Sequence, residues 1–397
     1  MIDDFAILKD FSNQRSPKGD NIVFTLHYRL TFTLLIICTV FISLYMHLHP
    51  DTIRCIHSHL HDRDEFMIDP AFINNYCWME GIFTVTTCPR PGSNAHPFVS
   101  QSFEGDPKFY HTIYQWIPMI LFLHAVSFYM PHYLWRCMED GHLAMLVGGL
   151  RGNLFGVDKE TIAKSKTRLV NYLSRNLGFY GSYFASYCFC ESLNLIGILG
   201  QIFIANRVYR FNDFGVALLQ YMSKPSTNVT DTHNKNITRL YQLGSTQLVY
   251  NDTKTSWYCY EDINPIEQYF PTVTKCGFRK YGPGGNLETV DSLCILGVNL
   301  ISQVLFAVLW FWFVFVAAVT CLALLYRFLT IVSPTVRCAL LRSRHAITED
   351  EELYGSFYKK SLGDWYILYQ LSKNLSSSVR KDVLHDLAIQ LQERKNS

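Results

Sequence analysis

Six of the twelve cysteines fall in two polar stretches, Cys55, Cys77 and Cys88 in one, Cys259, Cys276 and Cys294 in the other. Paired thiols persist only in an oxidising compartment, so their chemistry depends on where these stretches lie. Six cysteines permit fifteen pairings, and an odd number in each stretch forces at least one bridge between them if all pair. Two arrangements are open on spacing. Generic staples would each contribute about 2–4 kcal/mol. A nested antiparallel ladder, Cys55 with Cys294, Cys77 with Cys276 and Cys88 with Cys259, would bind both stretches into one rigid cap.

The segment HLHPDTIRCIHSHLHD (47–62) holds five histidines. His57, His59 and His61 alternate and share one face of an extended strand, a spacing that could hold zinc. His57 and His61 also have the HxxxH spacing of membrane di-iron enzymes, but those need several such clusters facing the cytosol, and this one stands alone. Solvated loop histidines are the simpler reading, with protonation near pH 6.5 altering local electrostatics; no metal is expected. There is no nucleotide-binding glycine loop and no catalytic triad, and KYGPGG (280–285) reads as a turn. No enzymatic activity and no cofactor are expected. A net charge of +2 is too small for a general nucleic-acid binder.

The elements that must carry these residues are membrane spans. A helix needs about 20 mainly apolar residues to cross the hydrocarbon core, and helices satisfy their own backbone where water is absent. Four blocks qualify: 28–46, 110–135, 184–206 and 300–325. Basic residues mark the cytoplasmic side. Lys9, Arg15, Lys18 and Arg29 precede the first span. Arg136, Arg151, Lys159, Lys164, Lys166, Arg168 and Arg175 crowd the loop between spans two and three. Arg327, Arg337, Arg342 and Arg344 follow the fourth.

The expected layout follows. Residues 1–27 are a cytoplasmic N-terminal segment, 47–109 a first outer loop, 136–183 a cytoplasmic loop, 207–299 a second outer loop and 326–397 a cytoplasmic C-terminal region. The acidic ITEDEEL (347–353) is a solvated linker before C-terminal helices. The sequons at Asn228, Asn236 and Asn251 agree, since all three fall in the second outer loop. No basic stretch leads into a cleavable signal, so the first span is expected to remain as a signal anchor. The fold class is an all-α membrane protein of four transmembrane helices, with disulfide-linked extracellular loops and a helical cytoplasmic region. One four-helix unit cannot enclose a wide pore, so a channel built from it must be a ring.

Within the spans, polar residues and prolines stand out. TIYQWIPMILFLH (112–124) opens the second span with Tyr114, Gln115 and Trp116, whose rings suit a membrane interface. Pro118 has no N–H and is expected to deprive the Tyr114 carbonyl of its helical partner, with Gln115 supplying a donor locally or to a neighbouring helix. Pro131 would do the same to Ser127. A packing kink and a gating hinge are both open. In the third span, Glu191 and Asn194 share a face, and Gln201 follows. A carboxylate at the bilayer centre costs about 2.5–3.5 kcal/mol on insertion scales, so Glu191 must face protein or water. Interhelical bonding and pore lining are the two readings, with Arg29 and Arg136 as candidate partners.

The chain resembles the innexins, which form invertebrate gap junctions and are related to vertebrate pannexins. The resemblance rests on YQW (114–116) with Pro118, and on IVFTLHYRLT (22–31), NNYCWM (74–79) and FYMPHYLWRCMEDG (128–141). It continues through CFCESLNL (188–195), VTKCGFRKYGPGG (273–285), LCILGVNL (293–300), LWFWFV (309–314) and GDWYILYQLSKNLS (363–376). One departure is Ile113, where the family usually has a first tyrosine. The family's two cysteines per outer loop map onto Cys55, Cys77, Cys276 and Cys294. Cys88 and Cys259 are extra, one per loop, which favours their pairing with each other.

The resemblance implies that MIDDFAILKDF folds into the channel mouth, so that Ile2, Asp3, Asp4 and Phe5 line the pore. Asp3 and Asp4 would then repeat as negative rings favouring cations. It implies a plasma-membrane gap-junction subunit, homo-oligomeric or mixed with other innexins, set among membrane lipids. Its hemichannel would dock with one in the apposed cell and pass ions and small metabolites. Two alternatives are an undocked hemichannel, motivated by the sequons, and a tetraspanin-like adhesive scaffold, which would need a Cys-Cys-Gly motif that this chain lacks.

Overall fold

The structure, a computed structural model, describes residues 19–49, 52–56, 69–85, 99, 108–148, 150, 159–207, 215, 219, 267, 269–282, 284–345 and 361–396. Four of its helices are long and apolar enough to cross a membrane: α1 (Ile22–Leu48), α3 (Ile113–Glu139), α6 (Gly181–Arg207) and α7 (Gly297–Val332). Each extends beyond its apolar block at one or both ends. The 36 residues of α7 amount to about 54 Å of helix against a hydrocarbon core of about 30 Å.

α1 starts earlier than hydropathy suggests because Asn21 caps it, its side chain accepting from the Ile22 N–H at 2.7 Å. One turn on, Leu26–Thr31 is π-helical. There the Thr31 hydroxyl donates to the Leu26 carbonyl at 2.9 Å, and that of Thr33 to the Arg29 carbonyl at 2.5 Å. These hydroxyls occupy carbonyls at the widened turn.

α3 corrects the reading of Pro118. A 3-10 turn, Ile113–Trp116, leads into the α-helical part, Ile117–Glu139. Pro118 is therefore in the first turn of the α-helical part, where its missing N–H has no call on a partner. It starts a helix; it does not break one. Pro131 is the interior proline.

The chain divides into two compact units. One contains a five-stranded antiparallel sheet of β1 (Ile53–Ile56), β2 (Ile82–Val85), β3 (Lys108–His111), β4 (Val273–Tyr281) and β5 (Leu287–Leu296), in the order β1-β5-β4-β2-β3. The protein is thus mainly helical with four candidate spans, as the sequence indicates, and its disulfide-bearing loops additionally build a sheet. β4 and β5 form a hairpin in which Thr274, Cys276 and Phe278 face inward with Ser292, Cys294 and Leu296. Its turn needs Gly285 at φ +75°. Helix α2 (Pro70–Glu80) covers that face. Asp69 caps it, Pro70 sits at its first position, and Tyr76 meets Phe278 edge-on at 6.0 Å.

The other unit holds α4 (His142–Val147), α5 (Lys159–Asn176), α8 (Pro334–His345), α9 (Leu362–Asn374) and α10 (Ser377–Asn396), with parts of the long helices. Leu143, Leu146, Leu173, Leu371 and Leu387 form one core; Phe24, Trp135, Tyr187, Trp365 and Tyr366 form a second. α9 contributes to both. It is buried nearly throughout, the state expected of a helix with apolar and aromatic residues on every side. A Cβ on Gly363 would come within 2.2 Å of the Tyr180 carbonyl, so only glycine allows this approach.

Candidate functional site

Cys55 and Cys294 stand directly opposite in the β1–β5 register and are bonded to each other. Cys77, on α2, is bonded to Cys276 on β4. The sulfurs of Cys55, Cys77 and Cys294 all lie within 4.8 Å, so the two bridges sit side by side. These are bridge sulfurs, not thiolates, and the cluster is a covalent staple with no ligand to offer a metal. Asn74 of α2 accepts from the Cys55 N–H at 2.8 Å, which blunts an otherwise open strand edge. Cys88, Cys259, His57, His59, His61, Asn228, Asn236 and Asn251 lie outside the described residues.

Beside Cys77, the Trp78 carbonyl belongs to the last turn of α2 and has no intrahelical donor of its own. Two side chains from the start of α3 reach it: the Tyr114 hydroxyl at 3.0 Å and the Gln115 amide. The Tyr114 ring also meets Trp78 edge-on at 4.8 Å. Gln115 therefore joins α3 to α2; it does not patch a carbonyl vacated by Pro118. Tyr114 is buried, whereas Trp116 remains exposed. Nearby, His111 is buried against the Thr84 hydroxyl at 2.9 Å, and burial lowers its pKa to about 4.

Glu191 is fully buried, and neither Arg29 nor Arg136 is its partner. Arg327 is. Its Nε donates to Glu191 Oε2 at 2.7 Å and an Nη to Oε1 at 3.3 Å, the bidentate geometry that suits guanidinium and carboxylate. Arg327 also lies over the Tyr187 ring at 5.0 Å and the Tyr366 ring at 5.6 Å. Arg136 instead pairs with Glu139 on its own helix at 3.4 Å. By sequence Arg327 follows the fourth apolar block; it lies inside α7, where it supplies the counterion that the buried Glu191 requires.

Two further polar pairs join long helices, one within each unit. The Thr320 hydroxyl donates to the Val316 carbonyl at 2.7 Å, which leaves it only an acceptor for His27 at 2.8 Å; His27 Nε2–H is therefore the donor. His124 Nδ1–H donates to Gln201 Oε1 at 2.8 Å. Asn194 is buried, and its Nδ2 has no partner among the described residues. Sequence alone does not identify the His27–Thr320 or His124–Gln201 pairs, although His124, inside the second apolar block, signals that a partner must exist. Ile2, Asp3, Asp4 and Phe5 lie outside the described residues.

Four bilayer-length helices, two bridges tying distant loops, and a buried ion pair between two of the helices define a multi-pass membrane protein. A family profile described as Innexin matches residues 20–391. The chain is 31% identical to Innexin inx2 of Schistocerca americana over 100% of this chain and 99% of that protein. Innexin inx2 of Drosophila melanogaster is 31% identical over 100% of this chain and 98% of its own, and Drosophila Innexin shaking-B 31% over 98% and 95%. The chain belongs to the innexin family of gap-junction channel proteins. By that membership it is a channel protein of the plasma membrane that acts in an oligomeric assembly.

Proposed function

We propose that this innexin forms ring-shaped hemichannels that dock across the intercellular gap and pass ions and small metabolites between cells. The observation that carries the reading is the stapled sheet. Docking presses two protein surfaces together, and a sheet held by Cys55–Cys294 and Cys77–Cys276 would present a pre-organised surface. The orientation that fits places the sheet and its bridges outside, where thiols oxidise, and both termini in the cytoplasm. Residues 1–18 then enter the channel mouth, with Ile2, Asp3, Asp4 and Phe5 facing the pore. The ring is built from copies of this chain, with or without related innexins.

The deciding experiment expresses the chain in two apposed cells and records junctional conductance, with dye uptake by single cells alongside. Conductance between the pair is expected. Dye uptake without coupling would favour the second reading, an undocked hemichannel, whose motivation is the sequon cluster at Asn228, Asn236 and Asn251. Under that reading, enzymatic deglycosylation restores pairing.

A further inference from the structure

α9 is far from Gly19 in sequence, yet it holds it. The Gln370 amide donates both hydrogens, one to the Gly19 carbonyl at 3.1 Å and one to the Tyr366 hydroxyl at 2.6 Å. Tyr366 faces the Arg327 guanidinium; Arg327 grips Glu191; and Asn21 Nδ2 donates to Glu191 Oε1 at 3.4 Å. Gly19 and Asn21 are two residues apart, so the contacts close on themselves. The closed set is Gly19, Gln370, Tyr366, Arg327, Glu191 and Asn21. Gly19 is also pressed close to α4, since a Cβ there would meet Leu143 Cδ2 at 3.3 Å.

Three features make this collar more than ordinary packing. Its polar groups are buried: Glu191, Arg327, Tyr366 and Gln370 are each at most 7% exposed. Its members come from α1, α6, α7 and α9, so no single helix can shift without breaking it. It also closes at Gly19, which in the chain directly follows residues 1–18.

We propose that Gln370 and Arg327 are positioning residues for conduction, holding Gly19–Asn21 so that the N-terminal segment is aimed into the pore. The inference rests on the reading of residues 1–18 as the pore segment. It assigns the C-terminal helix a part in setting the permeation path, besides any part in assembly.

The test is single-channel recording of unitary conductance and cation-to-anion permeability, normalised to surface abundance, for three variants. Gln370→Met keeps side-chain length and removes both donors. Asn21→Asp, at a half-exposed position, keeps the helix cap but replaces the donor to Glu191 with a like charge, so folding is spared if Gln370→Met fails to reach the surface. The Asp3→Asn, Asp4→Asn double variant tests the pore segment itself. A structural role would change the number of channels and leave each channel's properties alone. The expected result is a change of about twofold or more in unitary conductance or permeability ratio for all three. If the aspartate variant changes selectivity while Asn21→Asp and Gln370→Met conduct as the parent does, the positioning role is overturned and the pore-segment reading survives. If the aspartate variant also leaves both quantities unchanged, the pore-segment reading falls too.

Discussion

Arg327 and Glu191 form a bidentate ion pair, 2.7 Å at its shorter contact, between the fourth and third long helices. Breaking such a pair leaves a charge buried without a counterion, at about 3–5 kcal/mol for either partner. Arg327→Met and Glu191→Gln should each sharply reduce protein at the cell surface. The exchange Glu191→Arg with Arg327→Glu should recover part of that loss, measured by surface biotinylation. Equal loss in the exchange and the singles would mean that position, and not pairing, governs the effect.

The two donors on the Trp78 carbonyl predict non-additivity. Tyr114→Phe alone leaves Gln115 on that carbonyl, and Gln115→Leu alone leaves Tyr114, so each should cost about 0.5–1.5 kcal/mol. Together they strand the carbonyl, and the loss should exceed the sum by about 1 kcal/mol or more. Thermal unfolding of the purified single and double variants would measure this.

Prolines at two places in one helix should behave differently. Pro118 lies in the first turn of the α-helical part, so Pro118→Ala restores an N–H whose i−4 residue, Tyr114, belongs to the preceding 3-10 turn, and stability should change by no more than about 0.5 kcal/mol. Pro131 is interior, and Pro131→Ala permits a bond that proline forbids. Channel gating should change in the second variant and not the first if the interior proline is a hinge. Macroscopic current relaxations distinguish them.

The opening stretch of the second span shows how much was legible in the chain. Four spans were readable because a bilayer imposes about 20 apolar residues on any helix that crosses it. The stretch around KYGPGG reads as a turn, and its flanks carry the period-two alternation that marks β4 and β5, a hairpin signal. The β4–β5 hairpin is therefore legible in the sequence, whereas the strands that join it from the first loop are not. Arg327 was different in kind. A basic residue closing an apolar run looks like a loop flank, and nothing local ties it to a carboxylate 136 residues away. The Trp78 carbonyl was invisible for the same reason, since a backbone acceptor has no letter of its own.

Burial holds the folded pKa of His111 near 4, below the ordinary value of 6.5. The unfolded strand therefore takes up a proton first as pH falls. The stability of its surroundings is undiminished above about pH 6.5 and declines between there and about pH 4, by on the order of 3 kcal/mol if the whole shift is expressed. Hydrogen exchange in β2 and β3, corrected for intrinsic pH dependence, should accelerate at pH 5 relative to pH 7.5. His111→Gln should abolish the difference while keeping a group able to bond Thr84. An unchanged pH response in that variant would place the sensitive group elsewhere.

The two bridges also change what a single cut in the chain means. They join positions 239 and 199 residues apart, so α3, α4, α5 and α6 all lie inside both closed covalent circuits. A protease that severs one peptide bond anywhere between Cys77 and Cys276 releases nothing: the two pieces remain one molecule until a reductant opens the sulfurs. On a gel without reductant the nicked protein keeps its full mass, and with reductant it falls into fragments. Cleavage in that region is therefore uncoupled from separation, and a nicked subunit can keep its place in the membrane with its helices still tied together.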